Sequence, residues 1–80
     1  MHCAVVMSRA DKLMAKLKDG REITLQEAEV ILARIGFVLR PTHGGSHRIW
    51  KRDPGELVVL ATHRKTIPHY QARQIREFLP

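Results

Sequence analysis

Cysteine is nearly absent from this chain of 80 residues, whose one example, Cys3, lies in the first three positions. Without a second thiol there is no intramolecular disulfide framework and no cysteine-built zinc site, so a reducing compartment is the expected home. Aromatic residues are scarce, at 5% with one Trp and one Tyr, which leaves the core mainly to aliphatic side chains. Long apolar runs are missing as well, and no stretch approaches the roughly 18 uncharged residues of a membrane span. Met1 to Met7 has no basic start, and Arg9 and Asp11 follow before a signal-peptide core would be complete. These features predict a cytoplasmic chain with no membrane partner. Carboxylates are the minority charge, 8 Asp plus Glu against 14 Lys plus Arg, for a formal net charge of +6.

What is present fits one small domain spanning residues 1–80. The 44% of apolar residues is too many for a disordered basic tail. A chain of this size buries only about 60 to 65% of its extended surface, so it holds one core and no deep cleft. Any chemistry must then lie on the surface or in a shallow groove. The basic excess points to a polyanionic partner, because Lys and Arg that neutralise phosphates release counterions and so supply much of nucleic-acid affinity. A merely solvated basic face would carry the same charge, so charge alone does not decide the partner.

Helical periodicity opens the chain. Ala10, Leu13, Met14 and Leu17 fall on one stripe, with Ser8 as cap and Asp11 completing a capping box, and Asp19-Gly20 ends the helix. Residues 1–7 read as a floppy extension, with Met7 as an alternative start, and 8–19 as an accessory helix. Thr24 with Glu27 marks a second capping box, after which Leu25, Ala28, Ile31, Leu32 and Ile35 face one way until Gly36 stops the helix. The period then changes. Phe37 to Arg40, Ser46 to Arg52 and Leu57 to Ala61 read as strands, separated by turns at Thr42-His43-Gly44-Gly45 and Asp53-Pro54-Gly55. A last helix follows, with Pro68 in its first turn, Ala72, Ile75, Phe78 and Leu79 inward, and Gln71, Gln74 and Glu77 turned away. The predicted fold class is α+β: an α-β-β-β-α unit over residues 24–80 with a three-stranded antiparallel sheet, plus an extra N-terminal helix. Helices cover one sheet face and leave the other available.

Five histidines stand out in 80 residues. His2 lies in the extension, whereas His43, His47, His63 and His69 fall in or beside the meander. The His43-x-x-x-His47 spacing suits metal ligands only on a helix, and here Gly44-Gly45 interrupts it with no carboxylate added, so neither a metal nor another cofactor is expected. His47 follows two glycines and a serine, where the backbone N–H groups near Gly44, Gly45 and Ser46 meet an anion without obstruction. Arg40, Arg48, Lys51, Arg52, Arg64 and Lys65 surround it in sequence. Alternation puts Ser46, Arg48, Trp50 and Arg52 on one sheet face and His47, Ile49 and Lys51 on the other. If Ile49 faces the helices, Trp50 with Arg48 and Arg52 forms an open basic face that stacks an unpaired base. If Trp50 is the core residue, the arginines are ordinary strand ends. The sequence leaves both alternatives open.

Gly36-Phe37-Val38-Leu39-Arg40, Gly45-Ser46-His47-Arg48-Ile49-Trp50, Thr62-His63-Arg64-Lys65 and Tyr70-Gln71-Ala72-Arg73-Gln74-Ile75, in that order, resemble the HicA/YcfA family of mRNA interferase toxins. The resemblance covers roughly residues 24–80, and Gly-Ser-His at the head of a strand is its most specific part. It implies a fold like the double-stranded-RNA-binding domain, endoribonuclease activity on mRNA, and neutralisation by a HicB-type antitoxin encoded beside it. The family's catalytic histidine maps onto His47. Two departures are evident: Arg48 stands where many members have a second histidine, and Ala61 where many have a proline two positions before the later His.

The implied chemistry is metal-independent. His47 as general base takes the proton of a ribose 2′-hydroxyl, the oxygen attacks the adjacent phosphorus, and the 5′-oxygen leaves, giving a cyclic phosphate. Such help contributes about 10² to 10⁴-fold, and cations such as Arg48, Lys51 or Lys65 stabilise the developing phosphoryl charge. His63 is the candidate second proton carrier, with water as the default. Gly44, Gly45, Ser46, Arg48, Trp50, Lys51, Arg52, Arg64 and Lys65 are the expected RNA and phosphate contacts. The competing reading is a non-catalytic RNA-binding module of the same fold. A helix-presenting DNA-binding protein is disfavoured, because Arg73 and Arg76 are too few for a recognition face.

Overall fold

A computed structural model describes residues 7–41 and 45–80. Its elements run α1 (Arg9–Lys18), α2 (Leu25–Arg34), β1 (Val38–Arg40), β2 (His47–Arg52), β3 (Glu56–Ala61) and α3 (His69–Glu77). The strands form one antiparallel sheet in the order β1-β2-β3. This is the α-β-β-β-α arrangement read from the sequence, with the additional helix before it. The expected extension up to Met7, with Cys3 and His2, lies outside the described residues except for Met7 itself, which is exposed.

Both capping boxes form as the sequence predicts. The Ser8 hydroxyl accepts the Asp11 N–H at 3.2 Å, and the Thr24 hydroxyl accepts the Glu27 N–H at 3.1 Å. Each carboxylate returns the bond to its cap's own N–H, so two otherwise unpaired amides are satisfied at each helix start, a gain of about 1 kcal/mol per cap. Gly20 and Gly36 leave α1 and α2 with φ of +76° and +101°, backbone that a side chain would strain. Pro68 differs from expectation by one position, since it is the N-cap of α3.

One core joins all layers. Leu13 and Leu17 from α1, Ala28, Ile31 and Leu32 from α2, Ala72 and Ile75 from α3, and Val58 and Leu60 from β3 are buried together with Phe37 and Trp50. Complete burial of a side chain such as Ile31, Leu60 or Ile75 stabilises by about 1.5 to 3 kcal/mol. Gln71 overturns its expected outward direction: it is 5% exposed, and its amide donates to the Val59 carbonyl on the outer edge of β3. Gln74 donates to the Leu57 carbonyl at 3.2 Å. The helical period sets both on the flank of α3 beside that edge, where they occupy acceptors that would otherwise invite another strand.

Candidate functional site

Burial decides which face of the sheet is open. Trp50, Val58 and Leu60 are buried, so by alternation Arg48 and Arg52 share the covered face, and His47, Ile49, Lys51, Leu57, Val59 and Ala61 point away from the helices. The β1–β2 register adds Val38 and Arg40 to the open face and Leu39 to the other. The open basic platform of Trp50, Arg48 and Arg52 is thereby corrected. Trp50 is 8% exposed, and its indole N–H donates to Glu29 on α2 at 3.1 Å.

The two arginines are not simple solvated strand ends either. Arg48 gives its Nε–H to the same Glu29 oxygen that takes the indole proton. Arg52 pairs with Glu56 and donates to the Ile35 carbonyl at 2.7 Å, and its guanidinium lies over the rings of Phe37 and Phe78, 4.8 and 5.4 Å from their centroids. The Glu56 hydrogen bond raises the Arg52 pKa above its ordinary value, and the Arg52 hydrogen bond lowers that of Glu56. Arg52 therefore closes the rim of the core.

His47 begins β2, exposed on the open face, with Ala61 as its cross-strand partner. The next row along that face is Arg40–Ile49–Val59, and the one after is Val38–Lys51–Leu57. Arg40 is therefore diagonal to His47, about two strand residues or 7 Å along, whereas Lys51 lies four residues or about 13 Å away. Arg40 was not among the expected phosphate contacts. The six residues between β1 and β2 do not fix the pairing register, so the sequence held no signal that placed it there.

Immediately before His47, Gly45 has φ +94° and open space where a side chain would be, and the Ser46 carbonyl accepts the Thr62 N–H at 2.7 Å. Gly44 and His43 lie outside the described residues. Thr62 leads into a loop with His63, Arg64 and Lys65 exposed. That loop is tied to the start of α2, where the Leu25 N–H reaches the Lys65 carbonyl and the Ile67 N–H reaches the Ile23 carbonyl, both at 3.0 Å. The head of β2, the end of β3 and the starts of α2 and α3 thus meet at one end of the molecule. A shallow groove of about 390 Å³ opens there between Arg64, Lys65 and Thr24 to Gln26. His47, His63, Arg64, Lys65, Gly45 and Ser46 are brought to this end; Trp50 and Arg52 are not, and Lys51 shares only the face.

Among the described residues, no three His, Cys, Asp or Glu side chains gather as a metal site, and no helix is long and apolar enough to cross a membrane. The arrangement offers an accessible imidazole, a neighbouring guanidinium and further cations on one surface, a set suited to proton transfer beside a phosphodiester.

A family model described as the HicA toxin of bacterial toxin-antitoxin matches residues 25–78, which takes in α2 through α3 and leaves α1 outside. No curated protein and no solved structure gives a significant match.

Proposed function

The chain belongs to the HicA toxin family of bacterial toxin-antitoxin systems, and from that membership we propose that it is a metal-independent endoribonuclease that cleaves mRNA in the cytoplasm, with His47 as general base and a HicB-type antitoxin as its neutralising partner. The observation that carries this reading is the position of His47, exposed at the head of β2, one row from Arg40 and at the end of the molecule where Arg64 and Lys65 lie.

The neutral imidazole takes the 2′-hydroxyl proton while the 2′-oxygen bonds to phosphorus. The P–O5′ bond breaks, the 5′-oxygen receives a proton from water or from His63, and a 2′,3′-cyclic phosphate remains. Arg40 stabilises the negative charge that grows on the non-bridging oxygens, a contribution that is larger where the RNA excludes water. Arg64 and Lys65 hold flanking phosphates and give binding its salt dependence. Arg48 lies on the covered face and gives its Nε–H to Glu29, so it does not substitute for a second imidazole beside His47.

The test is cleavage of a defined single-stranded RNA, in chelator, by the purified chain and by His47→Ala, with folding checked by circular dichroism. The expected result is cyclic-phosphate products from the wild type, and RNA binding without cleavage from the variant. Equal cleavage by both removes His47 as catalyst, and binding without cleavage by both leaves the RNA-binding module as the better account.

A further inference from the structure

The chain has four aromatic rings, and three of them serve the core. Phe37 and Trp50 are buried, and Phe78 packs against Phe37 with ring centroids 5.2 Å apart, beneath the Arg52 guanidinium. Tyr70 is the exception, 70% exposed in the first turn of α3. A ring left in water adds little to the fold, so what lies beside it decides whether it has a task. Two bonds fix its place. Gln71 donates to the Val59 carbonyl and Gln74 to the Leu57 carbonyl, so α3 lies along the outer edge of β3 with its start toward Ala61. Tyr70 stands one turn before Gln74 on the same stripe of the helix, and therefore flanks the β3 edge near Val59 and Ala61. Ala61 is the cross-strand partner of His47, about 5 Å away. Across the open face the order is thus His47 on β2, the small Ala61 on β3, and Tyr70 beyond the edge.

We propose that Tyr70 is the stacking partner of an unpaired base next to the scissile phosphate, so that the RNA lies across the end of β3 with its reacting phosphate at His47 and that base against the Tyr70 ring. The identity of the neighbouring phosphate rests on the ribonuclease reading; the accessibility of the ring does not. Bases of a single strand stack on aromatic side chains with little regard to sequence, because every base has a π-face. Ala61 and Val59 form an aliphatic floor between histidine and tyrosine, and the short Ala61 side chain leaves the path between them open. Charge suits the same path. Arg64 and Lys65 are exposed in the loop that leads into α3, and Arg73 is exposed one turn beyond Tyr70, so phosphates on either side of the stacked base meet cations. None of the strand residues on the open face is a carboxylate. A paired base reaches the ring only by leaving its duplex, which costs unstacking and unpairing energy, so Tyr70 also favours unpaired RNA at the cleavage position.

The test is fluorescence anisotropy of a labelled single-stranded 2′-O-methyl RNA, which cannot undergo the transesterification, titrated with the full chain and with Tyr70→Ala, Tyr70→Leu and Tyr70→Phe. It is repeated on strands from which each base in turn has been removed. The expected Kd rises about tenfold for Tyr70→Ala and Tyr70→Leu and stays within about twofold for Tyr70→Phe, which keeps the ring. One abasic strand should bind the wild type as weakly as the intact strand binds Tyr70→Ala, and on that strand the variant should lose nothing more. On cleavable RNA, Tyr70→Ala should raise KM and leave kcat nearly unchanged, because the stack is the same in substrate and transition state. Circular dichroism checks each fold, and Tyr70→Leu decides the matter if Tyr70→Ala is unfolded. Equal Kd for all variants, a loss in Tyr70→Phe as large as in Tyr70→Ala, no abasic strand that erases the difference, or no RNA binding by the wild type overturns the proposal. So does intact RNA binding by Tyr70→Ala with weakened binding of the purified antitoxin, which gives the ring to the protein partner. Wild-type binding without cleavage of ordinary RNA counts against the ribonuclease reading alone, while the Kd values still decide the stack.

Discussion

The Trp50 indole N–H and the Glu29 carboxylate meet at 3.1 Å between β2 and α2, and the accepting oxygen also takes the Arg48 Nε–H. One oxygen thus ties the sheet to the helix through two donors. Because Trp50 is the chain's one tryptophan and is 8% exposed, its fluorescence reports the core. Acrylamide should quench the folded chain far less than the urea-unfolded one, and added single-stranded RNA should leave the emission unchanged. Strong quenching by RNA would return Trp50 to the nucleic-acid surface.

Removing the shared acceptor isolates what that oxygen contributes. Glu29→Ala leaves an indole N–H and a guanidinium without it, at a cost of about 1 to 3 kcal/mol. Urea unfolding should show the midpoint drop with little change in slope. Glu29→Gln keeps a neutral acceptor for one of the two donors and should fall between. Equal stability of all three proteins would mean that solvent serves these donors as well as the carboxylate does.

The fold was legible in the sequence where local chemistry fixes it. Ser8 with Asp11, Thr24 with Glu27, Gly36 and the switch from helical to strand period all mark features the structure contains, and the three-stranded meander between α2 and α3 follows from them. The open face was not legible, because Ile49 and Trp50 are adjacent and both suit a core. What decides is tertiary: Glu29, one turn into α2, gives the indole a partner that hydrophobic pattern alone does not reveal. Gln71 departs from its sequence pattern for a related reason. Its polarity predicts solvent, whereas a strand edge beside α3 offers a carbonyl that its amide can reach. Gly-Ser-His pointed to His47 without any register, but Arg40 needed the β1–β2 pairing to join it.

Gln71 and Gln74 make bonds of the same kind in different surroundings, so their removal should differ. Gln71→Leu deprives the Val59 carbonyl of its donor beside the core and should cost about 1 to 3 kcal/mol. Gln74→Leu affects an exposed bond and should stay within about 0.5 kcal/mol. Loss of either frees part of the β3 edge, so light scattering at high protein concentration should rise, more for the double variant. Equal thermal midpoints for the two single variants would argue against a special role for Gln71.

Acid should loosen the start of α2. The Thr24 backbone N–H, followed by Lys16 through its 3.0 Å ion pair, holds the Glu27 carboxyl below its ordinary value of 4.5. A depressed folded-state pKa means that the unfolded chain takes up the proton first. The stabilisation is therefore fully present above about 4.5 and is lost as pH falls through the folded value. Asp11, lowered by its Ser8 hydrogen bonds, adds the same sign at α1. Urea midpoints measured from pH 6 downward should fall below pH 4.5, and Glu27→Gln should flatten part of that slope while starting from a lower midpoint. A wild-type midpoint that stays level down to pH 3 would contradict the assignment.

Two cations on the open face allow the proposed chemistry to be separated from simple attraction. Arg40 lies on the row adjoining His47, about 7 Å along the strand, and Lys51 lies about 13 Å from it. With the Debye length near 8 Å at 0.15 M salt, a charge at Lys51 is largely screened from a phosphate at His47, whereas one at Arg40 is not. Under the general-base mechanism, Arg40→Ala should lower kcat by about tenfold or more, since it removes charge stabilisation in the transition state. Lys51→Ala should act through KM and lose its effect as salt is raised, because it contributes only to long-range attraction. Arg40→Lys keeps the charge but not the paired donors, so it should recover part of kcat. Single-turnover cleavage at saturating RNA, at two ionic strengths, distinguishes these outcomes. Equal effects of Arg40→Ala and Lys51→Ala on kcat would mean that the rows of the sheet do not set distance from the scissile phosphate, and His47 would lose its place at the reacting centre.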